Sequence, residues 1–215
     1  MTIHDFFSFS GEHTSYSVQA HAPELDTTPD LSEKNIVESD HDRLIIGDYT
    51  SLHFPILYKQ EYGSKWDDML NTGWPSLYLI SDKIKLILEE NKLTGWKTFP
   101  INLFDKKGNK ILGYHGFSIT GRCGPIDYGK CEIIEKRKPS DSPILRKFYK
   151  GLYVGLDQWD GSDFFQPKGD LEIIVTSKTA EIFKKNKISN VFLENLANVE
   201  IDEGTVKLAE KKIRL

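Results

Sequence analysis

From Pro75 onward the apolar and polar positions fall into regular order. Leu77-Tyr78-Leu79-Ile80 is an unbroken apolar run, the pattern of a strand buried on both faces. Ser81 and Asp82 supply N-cap chemistry, and Ile84, Ile87 and Leu88 recur at helical spacing behind them. Gly95 stands just past this helix, and Trp96 to Phe104 alternates like a strand. Asp105-Lys106-Lys107-Gly108-Asn109 has the composition of a turn, which predicts a hairpin with a strand over Ile111 to Thr120. Further short strands are predicted at Cys131 to Glu135, Leu152 to Leu156 and Phe164-Phe165.

The first unit returns 95 positions later without a gap. Ile80-Ser81-Asp82-Lys83 aligns with Val175-Thr176-Ser177-Lys178, and Ile87 to Thr94 aligns with Ile182 to Ser189. The pairs Lys83/Lys178, Ile87/Ile182, Asn91/Asn186 and Lys92/Lys187 are identical. Two similar strand–helix–strand units, about 77–96 and 172–191, are therefore predicted, with short strands between them. Strands in runs with few helices point to an α+β fold with a mainly antiparallel sheet. The single-domain reading places an acidic N-terminal part over 1–72 and the repeat-bearing body over 73–215.

Charge sharpens the contrast between those parts. Residues 1–70 hold 13 acidic and 4 basic side chains, a balance of -9, against +5 on 71–215 and -4 overall. No global basic excess exists to drive nucleic-acid binding. No apolar run approaches the roughly 20 residues of a membrane-spanning helix. The start, Met1 to Phe7, lacks a basic n-region and an apolar h-region, so a cytoplasmic protein is expected. Cys123 and Cys131 are then read as two reduced thiols, although a bridge closing a small loop is geometrically possible. Five of the six histidines (His4, His13, His21, His41, His53) lie in the first stretch at irregular spacings, and are read as solvated rather than as metal ligands. His21 to Asp42, rich in Pro, Asp, Thr and Ser, reads as a long loop.

Each candidate for chemistry has a structural reading beside it. Gly124 to Lys130 nearly spells a phosphate-binding loop, but Cys131 replaces the metal-holding hydroxyl and a strand is predicted where a helix should begin. His115, Cys123 and Asp127 are the residue types of a nucleophilic constellation, though their spacing does not bring them together. A small enzyme or nucleotide-binding protein built on these residues is the alternative function. Asp157-Gln158-Trp159-Asp160-Gly161-Ser162-Asp163 reads as a β-turn with Asp and Gly chosen for geometry. The same loop suits partner contact, with Asp157, Trp159, Asp160 and Asp163 as an acid-ringed, exposed aromatic anchor for a basic protein. Trp66, Trp74 and Trp96 are read as core or boundary residues, and Lys136-Arg137-Lys138 and Lys184-Lys185 as solvated faces.

Several of these segments together resemble a known family. Leu79-Ile80-Ser81-Asp82-Lys83 opening a helix, Phe99-Pro100-Ile101-Asn102-Leu103, Gly113-Tyr114-His115-Gly116-Phe117 and Cys123-Gly124-Pro125-Ile126-Asp127 are similar to bacterial immunity proteins of the myxobacterial-type domain in polymorphic toxin systems. Leu156-Asp157, Gly161 to Phe165, the strand Leu171 to Val175 and the helix from Ser177 continue the likeness over roughly 75–195. The resemblance implies a non-enzymatic protein, without cofactor or metal, that binds a cognate toxin and blocks it. A toxin with a basic cleft, such as a nuclease, would suit the acidic face.

Overall fold

The computed structural model describes residues 1–12, 14–25, 39–137 and 145–207. Its secondary structure is mostly sheet with a few helices, an α+β arrangement. The strands are β1 (Phe6–Gly11), β2 (Gln19–His21), β3 (Ile56–Tyr62), β4 (Met69–Asn71), β5 (Tyr78–Ser81), β6 (Trp96–Phe99), β7 (Ile101–Phe104) and β8 (Lys110–Ile111). They continue with β9 (Tyr114–Ile119), β10 (Gly121–Cys123), β11 (Glu132–Arg137), β12 (Leu145–Lys150), β13 (Phe164–Pro167), β14 (Ile174–Thr176), β15 (Val191–Asn195) and β16 (Glu200–Asp202). The α-helices include α1 (Asp40–Ile46), α2 (Asp82–Glu90) and α3 (Ser177–Lys185), and residues 203–207 are also helical.

The largest sheet runs β6-β9-β5-β4-β2-β3-β7-β8. Its shape follows from one residue. Pro100 alone joins β6 to β7, yet these strands stand at the first and seventh places of the order, so the sheet must curl until its ends approach. Pro100 has no N–H to add to a ladder, and its carbonyl instead accepts the Ile56 N–H at 3.1 Å. The predicted strand Trp96 to Phe104 is therefore two strands facing different partners. The predicted Ile111–Thr120 strand breaks likewise at Gly113 (φ +81°): β8 completes the hairpin with β7, and β9 departs to lie between β5 and β6.

A second sheet runs β10-β13-β14-β1-β15, and a third, β11-β12-β16. The two larger sheets are mixed, with β2 beside β4, β3 beside β7 and β10 beside β13 running parallel among otherwise antiparallel pairs, and the third sheet is antiparallel. Leu152 to Leu156 is not a strand. Val154 forms a lone bridge to Ile126, and the chain turns into a 3-10 helix at Leu156–Gln158.

Three apolar cores follow from the two-period of the strands. Leu70, Leu79, Tyr58, Phe99 and Leu103 point into the curl, where Leu44 and Ile45 of α1 plug it. Their neighbours Met69, Tyr78 and Ile80 point outward against Phe9, Phe164, Ile173 and Val175 of the second sheet. Phe9, Phe164 and Phe183 meet edge-to-face there at centroid distances of 5.7 to 6.1 Å. Phe6, Phe165 and Ile174 fill a third core under the loops around Cys123, Leu152 and Leu196. The apolar run at 77–80 is thus a strand between two cores, each fully buried Phe or Leu contributing about 1.5–3 kcal/mol.

Helix α2 starts at Ser81, whose side chain accepts the Ile84 N–H, and ends at Asn91, whose Nδ2 donates to the Ile87 carbonyl at 2.8 Å. Helix α3 starts at Thr176, which accepts the Thr179 N–H, and ends at Asn186, whose Nδ2 donates to Ile182 at 2.8 Å. Ile84, Ile87 and Leu88 are buried in α2; Thr179, Ala180 and Phe183 in α3.

The acidic first stretch holds more order than its composition suggests. Helix α1, capped by a reciprocal Ser39–Asp42 box, begins inside the segment read as loop; residues 26–38 of that segment lie outside the described residues. His41 is buried and stacks on Trp74, so it is not the solvated histidine expected; His4 and His53 are exposed, and His13 lies outside the described residues. Trp66 and Trp96 sit at core boundaries, whereas Trp74 is 37% exposed. Lys136, Arg137, Lys184 and Lys185 are exposed, and Lys138 lies outside the described residues.

Candidate functional site

The loop Asp157–Asp163 connects the 3-10 turn at Leu156–Gln158 to β13, and Gly161 (φ +84°) supplies the left-handed residue that reverses it. Its four predicted contact residues are differently employed. Asp157 is exposed. Trp159 is half-buried rather than exposed: its ring meets Phe6 edge-on at 5.3 Å and Phe165 at 5.4 Å, and its Nε1 donates to the Ser162 carbonyl at 3.2 Å. Asp160 accepts the backbone N–H of Arg122 at 2.8 Å and of Ser162 at 3.0 Å. Partial burial pushes the Asp160 carboxyl upward, but hydrogen bonds from Ser162 and Arg122 outweigh this and hold it below its ordinary value.

Asp163 ties the loop to another part of the chain. Its Oδ2 accepts the Thr94 N–H at 3.0 Å and hydroxyl at 3.2 Å, its Oδ1 accepts the Thr176 hydroxyl at 3.2 Å, and Lys178 Nζ stands 3.8 Å away. Asp68, which the motif reading missed, makes the matching set. It accepts Lys83 Nζ at 2.8 Å, the Ser189 N–H at 2.9 Å and the Ser81 hydroxyl at 3.4 Å. The signal was present: Asp68 precedes Ser81 by 13 residues, as Asp163 precedes Thr176.

Asp157 lies on the rim of a groove of about 820 Å³ that Ile3, Ile126, Lys130, Tyr153 and Leu156 also line. Apolar and polar surface share its lining about equally, with Lys130 held 3.1 Å from Asp127.

The alternative chemistry finds no such setting. Tyr128–Lys130 is one 3-10 turn, capped by Asp127 accepting the Gly129 N–H, and the chain then enters β11. No helix N-terminus faces the loop where a phosphate would sit. Gly124 is needed for packing: a Cβ there would lie 2.9 Å from the Gly155 Cα. Cys123 is buried, which pushes its thiol up to about 12, the reverse of an activated nucleophile. His115 is engaged with Asp82 at 2.7 Å, and both cysteines are free thiols. Among the described residues no group of three or more His, Cys, Asp or Glu could hold a metal ion, and no helix is long and apolar enough to cross a membrane.

These features define an α+β protein in which a curled mixed sheet packs on a second sheet and the predicted loop borders a groove of mixed polarity. The model of the immunity protein family (Imm11) matches residues 5–198, and the chain belongs to that family. No curated protein matches it.

Proposed function

We propose that the protein is an immunity protein that binds a cognate toxin domain and blocks it by protein–protein contact, with no catalysis of its own. The family match over 5–198 carries this reading, because it takes in every strand but β16. The contact runs over the groove rim and the loop Asp157–Asp163. Asp157 and Asp160 supply charge, while Trp159 and Asp163 hold the loop in shape. The toxin is basic, as a nuclease is, and the balance of -9 on residues 1–70 steers its approach. Two free thiols suit action in a reducing cytoplasm.

We also infer that the body contains a duplicated unit. Registers support it: Met69↔Ile80 in β4–β5 recurs as Phe164↔Val175 in β13–β14, both shifted by the 95 positions seen in the sequence. Strand β9 beside β5 and β6 has its counterpart in β1 beside β14 and β15. Asp68 and Asp163 then clasp the exit turn of the opposite unit, at Ser189 and Thr94.

Co-expression with the toxin domain encoded beside this gene tests the function. Restored growth and a co-purifying complex are expected. A toxin that kills regardless, with no complex recovered, overturns it.

A further inference from the structure

The sheet β11-β12-β16 leaves one long edge open. Strand β12 has β11 on one side and, over Phe148–Lys150, β16 on the other, whereas β11 pairs with β12 alone among the described residues. Its six residues, Glu132–Arg137, are exposed except for half-buried Ile134, and Ile133 is 59% exposed. An open edge presents unpaired N–H and C=O groups, a ready template for one more strand.

Charged side chains commonly guard such an edge, and β11 carries Glu132, Glu135, Lys136 and Arg137. Which charges would meet decides whether they guard it against a second copy. Two copies of one strand pair antiparallel about a two-fold axis. Successive residues turn their backbone groups to alternate edges, and facing residues must turn them the same way. Facing residues are then an even number of positions apart, so the axis passes through a residue.

An axis through Glu135 sets two carboxylates against each other, and axes through Lys136 or Arg137 oppose two cations. An axis through Ile133 carries Glu135 and Lys136 past the strand, onto Cys131 and the 3-10 turn before it. An axis through Ile134 sets Glu132 opposite Lys136 twice, Ile133 opposite Glu135 twice, and Ile134 opposite itself. No like charges meet there. Lys136 Nζ already meets Glu200, but its side chain is half-exposed and its three N–H groups leave room for a second carboxylate. Diagonal neighbours across the axis are within reach, so the exposed Ile133 side chains of the two copies cover each other.

We infer that β11 is a self-association edge, where a second copy of this chain pairs antiparallel about Ile134 and joins two three-stranded sheets into one. The contact is short, so the dimer is weak and grows with protein concentration. No residue of β11 or β12 lines the groove beside Asp157, and both copies keep that surface. Self-pairing needs no toxin and is tested on the full chain alone.

Sedimentation velocity at low to high micromolar protein reads the monomer–dimer equilibrium, and a dimer that grows with concentration is expected. Ile133→Glu puts a carboxylate opposite Glu135 of the other copy at two points. It should weaken the dimer about tenfold while leaving the melting temperature unchanged, because the position is exposed. Ile133→Lys removes the same apolar side chain but faces Glu135 with the opposite charge, so its dimer should be about tenfold tighter than that of Ile133→Glu. A monomer at every concentration overturns the proposal, as does a dimer unaffected by Ile133→Glu. Equal weakening in Ile133→Lys and Ile133→Glu overturns the register about Ile134. If the chain stays monomeric and Ile133→Glu abolishes co-purification with the toxin domain, the edge belongs to the toxin and the second copy is wrong.

Discussion

Asp157 and Asp163 are six positions apart in one loop, have the same side chain, and do different work. Asp163 accepts three hydrogen bonds from Thr94 and Thr176. Asp163→Ala should therefore lower unfolding free energy by about 1–3 kcal/mol in urea titrations, whereas exposed Asp157→Ala should stay within about 0.5 kcal/mol. Toxin affinity should show the reverse order, with Asp157→Ala the variant that weakens a folded protein's binding. Charge state adds a second expectation. Hydrogen bonds overcome the effect of burial at Asp160, and bonds from Lys65 and Ser17 do so at Asp67, so both carboxyls are held low. Such groups bind fewer protons folded than unfolded. Their stabilisation is complete above about pH 4 and fades as pH falls through the lower folded value. Asp160→Asn should flatten that acid-side slope in melts run from pH 5 down to 2. Cys123, buried with its thiol raised to about 12, should resist iodoacetamide at pH 8 until the chain unfolds. Rapid native alkylation there would show a more open third core.

At the scale of elements, the strand–helix signals were legible because they are local. Ser81 and Thr176 accept N–H groups three residues on, and Asn91 and Asn186 reach back four, so both ends of each helix are written within one turn. What followed the helices was not local. Trp96 to Phe104 looked like one strand because alternation is blind to which partner a residue faces; Pro100 divides it between β6 at one end of the curled sheet and β7 near the other. Gly95 shows how tight the crossing is. It sits at φ +84°, and a Cβ would lie 2.0 Å from the Phe164 carbonyl oxygen. Gly95→Ala should cost several kcal/mol, more than the about 1 kcal/mol typical of a point substitution, measured as a fall in denaturation midpoint. Asn190 takes the corresponding place at φ +61° and donates to the Met69 carbonyl at 2.7 Å. Asn190→Gly should keep the backbone geometry and lose only that bond, about 1 kcal/mol.

For the whole molecule, the charge asymmetry gives an expectation that no single residue carries. If the acidic first part steers a basic toxin, replacing several of its exposed carboxylates by amides should slow association about tenfold at low salt and reduce the salt dependence of the on-rate, leaving the off-rate nearly constant. Unchanged kinetics would make the asymmetry a matter of solubility. The sequence by itself determined the α+β class, both helices of the body, the unpromising chemistry of the Gly124–Lys130 loop and the family likeness, since these rest on spacing, caps and composition within short stretches. It could not place β1 between β14 and β15, nor show that Trp159 packs on Phe6, because those contacts join residues more than 150 positions apart. Nor could it place the extra residue Glu61 in β3, since a bulge exists only where two strands pair out of step. Local chemistry is written along the chain; which side chains share a pocket is decided when distant strands find their register.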